Sequence, residues 1–337
     1  MPIGALQVYS RGVIDGEVVY ETAPLAVRLG GLSNPTTQSV ILTPPVLGKP
    51  KLALLELTVK HTSPTISRWR LWLNGVAITR EFKPNYSIKL EDTYYSKCVF
   101  DVTPIFDWKK KQHHITIRYE GSDVLLIEHV GMIVAYEAEK SKTSYAFAGG
   151  LLALSPGEST AIRLDLEPID GINRARVETV LLVPSRLARV KVESFSISKT
   201  INGVVGVEEI EFDIPIKPVK TMETVITHYP ADQPYYPKHV LVTGLLVSYG
   251  WYAEPKIVVE PRRHNNTVEL VIRNEGAAKP EKLMIIAVQA GSILVRRFVE
   301  PPEPGEEKLE KLELPGGVLI RVVWTYHGRT RYIDLRP

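Results

Sequence analysis

Short segments in which apolar and polar residues alternate recur along the whole chain, separated by clusters of Gly, Pro, Asn and Asp. In "ISRWRLWLNG" (66–75), Trp69, Leu71 and Leu73 fall on one face of an extended segment. Arg68, Arg70 and Trp72 fall on the other. A period of two residues is typical of a strand with one buried face. With 25 Pro and 23 Gly as breaks between such segments, the pattern predicts an all-β fold of sandwich type.

Two segments near the C terminus carry further local signals. "VLIRVVWTYHGRTRYIDL" (318–335) predicts a β-hairpin that turns at His327-Gly328, because glycine tolerates the positive φ that such turns require. "PGEEKLEKLE", which starts at residue 304, predicts one or two helical turns instead.

Several short patterns occur twice in the same order, which indicates a tandem duplication. The drift between the copies falls in loops, where insertions are tolerated. We therefore predict two tandem jelly-roll-like β-sandwiches, 1–145 and 146–302, followed by a C-terminal hairpin tail, 303–337. The paired markers are Asn74-Gly75 with Asn202-Gly203, Tyr94-Tyr95 with Tyr235-Tyr236, Gly121 with Gly276, and Met132 with Met284.

The first repeat resembles the galactose-binding-like jelly roll over roughly 60–140. The resemblance is carried by a strand that ends in Asn-Gly, a strand that reads Asp-Val-Thr, and a later strand of alternating Ile. It implies a fold, not an activity. The matching residues are Asn74, Gly75, Asp101, Val102, Thr103, Ile115 and Ile117.

The layout of two jelly rolls in 337 residues also resembles the double jelly-roll major capsid proteins of icosahedral viruses. This likeness rests on chain length, strand content and duplication. It implies a shell protein that assembles with copies of itself and is found in a virion.

Composition narrows the classes of protein. A net charge of +3, from 41 basic and 38 acidic residues, gives no indication of a dedicated nucleic-acid binder. The N terminus lacks a basic start followed by an apolar core, so we expect cytoplasmic synthesis without a signal peptide. Few Gln beside many Lys, Glu and Pro is a composition typical of thermophiles.

The sequence offers no catalytic constellation. Phosphate-binding glycine loops, nucleophile elbows and His-Glu-x-x-His motifs are missing, and the single cysteine, Cys98, can form neither an intramolecular disulfide nor a multi-cysteine zinc site. We expect Cys98 to be buried, and we expect no cofactor and no metal. His228 and His239 flank an aromatic loop. For these two histidines, hydrogen bonding is a simpler role than metal binding or pH sensing.

Two tyrosine-rich loops, "EFKPNYSIKLEDTYYSK" and "THYPADQPYYPK", are the candidate contact sites for a protein interface or a ligand. Exposed tyrosines suit this role because a rigid amphipathic ring loses little entropy on binding. In each Tyr-Tyr pair we expect one ring inside and one outside. The candidate residues are Tyr94, Tyr95, Lys97, Tyr229, Tyr235, Tyr236 and Lys238.

Two basic segments, "WKKKQHH" (108–114) and "PRRHNN" (261–266), are predicted to be turns at equivalent places in the repeats. Together they would meet an anionic surface, either lipid headgroups or nucleic acid, although a charged turn kept for solubility is the commoner arrangement. The candidate residues are Lys109, Lys110, Lys111, Arg262 and Arg263.

These patterns favour a non-enzymatic structural protein that forms homo-oligomers, trimers or larger, most directly a capsid-type shell. The alternative is a carbohydrate-binding module protein that uses the aromatic loops. A glycoside hydrolase on a β scaffold is a third interpretation, which would need two carboxyl groups held across a cleft.

Overall fold

The structure, a computed structural model, describes residues 1–65, 68–79, 83–139, 141–215, 219–230, 239–326 and 329–337. The described residues are all-β, as predicted, apart from a 3-10 turn at Thr103–Ile105. They form two compact units, Met1–Tyr252 and Ala253–Pro337. We refer to these as unit 1 and unit 2.

Unit 1 contains two β-sandwiches, which we call jelly roll 1 and jelly roll 2. An N-terminal strand, β1 (Ile3–Ile14), precedes them. The strands of jelly roll 1 are β2 (Gly16–Gly30), β3 (Thr37–Leu42), β4 (Pro50–His61), β5 (Trp69–Leu73), β6 (Val76–Thr79), β7 (Tyr86–Leu90), β8 (Thr93–Asp101), β9 (His113–Tyr119) and β10 (Val124–Glu137). Those of jelly roll 2 are β11 (Ser141–Leu154), β12 (Ser159–Asp165), β13 (Arg174–Val183), β14 (Val190–Ser194), β15 (Ile197–Ile201), β16 (Gly206–Asp213), β17 (Thr221–His228) and β18 (Val240–Tyr252).

The two jelly rolls share one strand order. Jelly roll 1 has a five-stranded sheet B, β2-β10-β4-β8-β7, and a four-stranded sheet C, β3-β9-β5-β6. Jelly roll 2 has a five-stranded sheet A, β1-β11-β18-β13-β16, and a four-stranded sheet D, β12-β17-β14-β15. Apart from the added edge strands β7 and β1, the orders match strand for strand. The two jelly rolls therefore repeat the same strand topology.

Three of the four pairs of sequence markers do not fall on equivalent strands, and the fourth, Tyr94-Tyr95 with Tyr235-Tyr236, lies partly outside the described residues. Asn74-Gly75 forms the tight turn between β5 and β6, with both residues at positive φ, whereas Asn202-Gly203 follows β15. Gly276 and Met284 lie in unit 2, outside both jelly rolls. The short matches thus come from common turn and strand chemistry.

The four sheets of unit 1 stack as layers in the order C, B, A, D, as the buried faces of their strands show. Sheets B and C enclose one core around Trp69 and Leu71, and sheets A and D enclose another around Val177 and Phe212. The remaining faces of A and B pack on each other. The central strands of these two sheets are therefore buried on both faces, and β4, β10, β11 and β18 carry nearly continuous apolar runs instead of alternating ones.

Unit 2 is a seven-stranded antiparallel sandwich. Sheet E has the order β19-β20-β23, and sheet F has the order β22-β21-β24-β25, a three-plus-four arrangement similar to immunoglobulin-type sandwiches. Its strands are β19 (Ile257–His264), β20 (Thr267–Asn274), β21 (Lys282–Gln289), β22 (Ser292–Val299), β23 (Glu307–Glu313), β24 (Leu319–Tyr326) and β25 (Arg329–Leu335).

Unit 2 also differs in detail from the sequence predictions. The C-terminal hairpin is confirmed as β24 and β25, with its turn at 327–328 outside the described residues, and it belongs to sheet F. Residues on both sides of the expected boundary at 302 share both sheets. The predicted helical turns after 304 are wrong: this segment is strand β23, because it pairs with β20 and turns Leu312 into the core.

Candidate interaction surfaces

The first Tyr-Tyr-x-Lys segment begins strand β8 and points mostly inward. Tyr94 is half-buried and stacks on His61 at 5.7 Å between ring centroids, whereas Tyr95 is buried between the jelly rolls. The expected inner ring is thus Tyr95, whereas Tyr94, the expected outer ring, is only partly exposed. Lys97 is fully buried, so its assignment as a contact for an external ligand or partner is corrected: it lies on the same strand face as Tyr95 and serves an internal ion pair.

The second segment is described only in part. Tyr229 is half-buried, and the guanidinium of Arg189 lies 4.9 Å from its ring centroid. His228 is fully buried, with Nδ1 2.8 Å from the carbonyl oxygen of Leu154, which accounts for it as a structural histidine. The predicted sites Tyr235, Tyr236 and Lys238 lie outside the described residues.

The two basic segments differ from each other. Lys109, Lys110 and Lys111 are exposed in the turn before β9. Arg262 and Arg263 instead lie within β19, before the turn at 265–266, so their assignment to a turn is corrected. Arg263 donates to the carbonyl oxygen of Leu314 at 2.7 Å and to that of Pro337 at 3.4 Å, so it is committed to contacts within unit 2.

A fully buried polar cluster lies between the jelly rolls, and sequence reasoning missed it. Glu56 of β4 accepts hydrogen bonds from Tyr20 at 2.5 Å and from His129 Nε2 at 3.0 Å, and its other oxygen lies 2.8 Å from Lys97 Nζ. Lys97 also donates to the carbonyl oxygen of Thr243, across the contact in sheet A, at 2.5 Å. The cluster therefore joins four strands of jelly roll 1, β2, β4, β8 and β10, to β18 of jelly roll 2.

Two glycines provide the space for this cluster. A Cβ at Gly131 would lie 2.7 Å from Glu56 Oε1, and a Cβ at Gly244 would lie 2.4 Å from the Tyr20 hydroxyl. Any larger residue at either position would displace the hydrogen-bonded groups.

The electrostatics of the cluster favour an ionised Glu56. Burial by itself raises the pKa of this carboxyl, but Lys97 and His129 more than reverse the effect and leave the pKa at about 2. Burial lowers the pKa of Lys97 and of His129, because the charged form of each loses hydration. We assign His129 as neutral and Glu56 and Lys97 as a charged pair.

This assignment predicts that stability falls as pH drops. Below about pH 6.5 the unfolded chain protonates its histidines, while buried His129 resists, so each such group lowers the free energy of unfolding by up to about 1.4 kcal/mol per pH unit. A second loss begins near pH 4.3, where unfolded glutamates protonate and Glu56 stays ionised down to about pH 2.

Urea unfolding between pH 8 and 5 tests this prediction. His129→Gln should flatten the dependence of the free energy of unfolding on pH, because the pKa of His129 is lowered by burial. The same pH dependence in this variant as in the wild type would contradict the assignment of His129.

An open cleft of about 550 Å³ lies beside the end of β1. Arg11, Asp15, Lys51, Glu137 and Glu139 line it. Lys51 and Glu137 form an ion pair at 2.9 Å, so the cleft carries opposed charges that partly neutralise each other. Among the described residues, no group of three or more His, Cys, Asp or Glu side chains is placed to hold a metal ion.

Cys98 is fully buried, as predicted. Burial raises the pKa of its thiol to about 12, so it stays protonated at neutral pH and is a poor nucleophile. Within the described ranges no helix is long and apolar enough to cross a bilayer.

The two outer faces of unit 2 differ sharply. The outer face of sheet E carries several ion pairs around the exposed Leu309: Arg273 contacts Glu307 at 2.6 Å and Glu260 at 3.3 Å, and Lys311 contacts Glu269 at 2.7 Å. Charged side chains of this kind are typical of the solvent-facing side of an antiparallel sheet.

The outer face of sheet F carries instead a row of apolar and aromatic side chains across all four strands. The register places Phe298, Met284, Val323 and Tyr332 side by side in that order. Phe298 is 66% exposed and Tyr332 57% exposed. Exposed apolar surface of this kind, with aromatic and Arg side chains, is typical of protein contact sites.

A second row runs beside the first and carries charge at both ends. It contains Arg296, Ile286, Arg321 and Asp334, in strand order. Arg321 binds Asp334 through two hydrogen bonds, at 2.6 and 2.7 Å, and its guanidinium lies 4.1 Å from the Tyr332 ring centroid.

Strand β1 provides another accessible surface. It lies at the edge of sheet A and is exposed along most of its length, with Ile3 43% and Val8 48% exposed. An unprotected edge with apolar side chains favours pairing with a further strand.

Comparison with known proteins gives little further guidance. No protein-family model and no curated protein matches the sequence. Among solved structures, PNGase F, a glycosylasparaginase from Flavobacterium meningosepticum, aligns with a TM-score of 0.28 and 9% identity, covering 70% of this chain and 96% of that one. The Endo-D glycoside hydrolase domain Spr0440 from Streptococcus pneumoniae R6 aligns with a TM-score of 0.20 and 9% identity, covering 60% and 34%.

A β-glucuronidase from Ruminococcus gnavus aligns with a TM-score of 0.21 and 10% identity, covering 57% of this chain and 34% of that one. The chain spans about a third of the length of the Endo-D domain and of the β-glucuronidase. Similarity at this level carries no argument about function.

Proposed function

We propose that this chain is a non-enzymatic structural protein that self-assembles, with a double jelly-roll shell of the capsid type as the assembled form. The two jelly rolls act as one rigid block because sheets A and B pack together through an apolar layer and a buried ion pair. Unit 2 supplies a contact surface, and the exposed Lys109–Lys111 turn would meet an anionic surface inside the assembly.

The observation that carries this proposal is the contrast between the two faces of unit 2. The outer face of sheet E carries several ion pairs, whereas the outer face of sheet F exposes Phe298 and Tyr332 in an apolar row. Removing such a row from water is favourable by roughly 25 cal/mol per Å² of apolar area. The exposed edge of β1 adds a second place where a neighbouring copy could pair.

Electron microscopy of the purified full chain tests the form of the assembly. We expect closed particles of uniform size at micromolar concentration, because rigid blocks with fixed contact faces associate with defined geometry. Single particles of one chain at every concentration and salt would overturn the proposal.

Carbohydrate binding is the second candidate, and the exposed Phe298 and Tyr332 rings favour it, since an exposed aromatic face can stack on a sugar. A glycan array separates the two candidates. Saturable binding by a chain of monomeric mass would support a carbohydrate-binding module and reject the structural role.

A further inference from the structure

We propose that the outer face of sheet F is a two-fold symmetric contact between two copies of this chain. This inference rests on the proposed self-assembly and names the surface and the partner. The occupant is the same face of a second copy, and the argument for it is the distribution of charge and aromatic rings on that face.

The charged row is complementary to itself. Arg296 lies at the β22 end and Asp334 at the β25 end of the same row. Among the described residues Arg296 has no acidic partner; its Nε lies 3.4 Å from Met284 Sδ, and its guanidinium lies 5.9 Å from the Phe298 ring centroid. One end of the row thus offers a free cation, and the opposite end offers a carboxylate.

A two-fold axis parallel to the strands, between β21 and β24, brings these ends together. It lays the β22 edge of one copy over the β25 edge of the other and preserves position along the strands. Arg296 of each copy then faces Asp334 of its neighbour. This is an isologous contact, in which every pair occurs twice and the assembly closes.

The same operation matches the apolar row. Phe298 faces Tyr332 of the second copy, and Met284 faces its Val323. Two sheets packed in this way lie about 10 Å apart, with their strands crossing at about 30°. The Arg321–Asp334 pair is already formed in each copy, so Arg296 of the neighbour adds a second guanidinium to the same carboxylate. The resulting group of three has a net charge of +1 and lies at the edge of the contact, where water can reach it.

Substitution of one aromatic anchor tests the surface. Phe298→Ser in the full chain should weaken self-association at least about 30-fold, as expected for a central contact residue, measured by sedimentation velocity across concentration. Leu309→Ser is the matched control: Leu309 is also an exposed apolar residue of unit 2, at 51%, but it lies on the outer face of sheet E. This control should associate like the wild type.

Exchange of charge tests the two-fold geometry. Arg296→Asp and Asp334→Lys should each associate more weakly alone, because like charges then face each other. A mixture of the two variants should recover association, since each copy now supplies the charge that the other lacks.

The outcomes separate this inference from the proposed function. A monomeric wild-type chain overturns both. An assembled wild type whose association is unchanged by Phe298→Ser, or charge variants that do not recover on mixing, overturns the two-fold contact alone and leaves self-assembly through another surface.

Discussion

Replacing Lys97 with methionine is expected to lower the free energy of unfolding by about 3–5 kcal/mol. The substitution leaves Glu56 ionised in a fully buried position, with hydrogen bonds from Tyr20 and His129 but no compensating charge. It also removes the donor to the Thr243 carbonyl oxygen in jelly roll 2. Urea unfolding at pH 7 measures the loss.

A matched control and a double variant sharpen this prediction. Lys89→Met changes an exposed lysine on the neighbouring strand β7 and should alter stability by no more than about 0.5 kcal/mol. Glu56→Gln combined with Lys97→Met should recover part of the loss, because no buried charge then remains. A loss with Lys97→Met no larger than with Lys89→Met would show that the ion pair does not contribute to stability.

Replacing Phe147 with alanine should cost about 3–5 kcal/mol. Phe147 is a fully buried residue of β11, in the apolar layer between the jelly rolls, and its ring packs edge-to-face on Tyr20 at 5.5 Å between centroids. If unit 1 is one rigid block, the loss should appear in a single unfolding transition of both jelly rolls.

Phe195→Ala is the matched control, because Phe195 is 37% exposed in the turn between β14 and β15. It should change stability by well under half of the Phe147→Ala effect. Separate transitions for the two jelly rolls in the wild-type chain would argue against the rigid block.

The strands of the outer sheets C and D were predictable from sequence because each of these sheets has one face in contact with solvent. Trp69, Leu71 and Leu73 alternate with polar or less buried neighbours on β5, and all three are buried. The inner sheets A and B gave a weaker signal, since strands buried on both faces lose the period of two. Because the alternation is missing in these strands, the sequence did not show that jelly roll 2 ends at Tyr252, and its end was predicted at 302 instead.

The helical prediction for the segment after 304 failed for a tertiary reason. Leu309 and Leu312 are three residues apart, as on a helix, but pairing with β20 overrides the local preference. Lys308 and Glu310 lie on the same side of β23 as Leu312, at the edge of the sandwich, where Glu310 pairs with Arg297 at 3.3 Å.

The buried cluster shows the same dependence on tertiary contacts. Lys97 was predicted to be a contact for a protein interface or a ligand. It instead pairs with Glu56 and donates to the carbonyl oxygen of Thr243, and both residues come from distant parts of the chain. Glu56 does interrupt the apolar run "LALLELTV", and a carboxylate inside such a run is the available signal. The sheet F rows also needed the register of four strands before they could be recognised.

The mass of the purified full chain in solution, measured by light scattering over a dilution series at low and high salt, tests the central claim most directly. Self-assembly predicts a mass of at least two chains of 37.7 kDa each that persists on dilution. The apolar row should preserve much of the association at high salt, where exposed charge pairs are screened. A mass of one chain under all conditions would contradict the account.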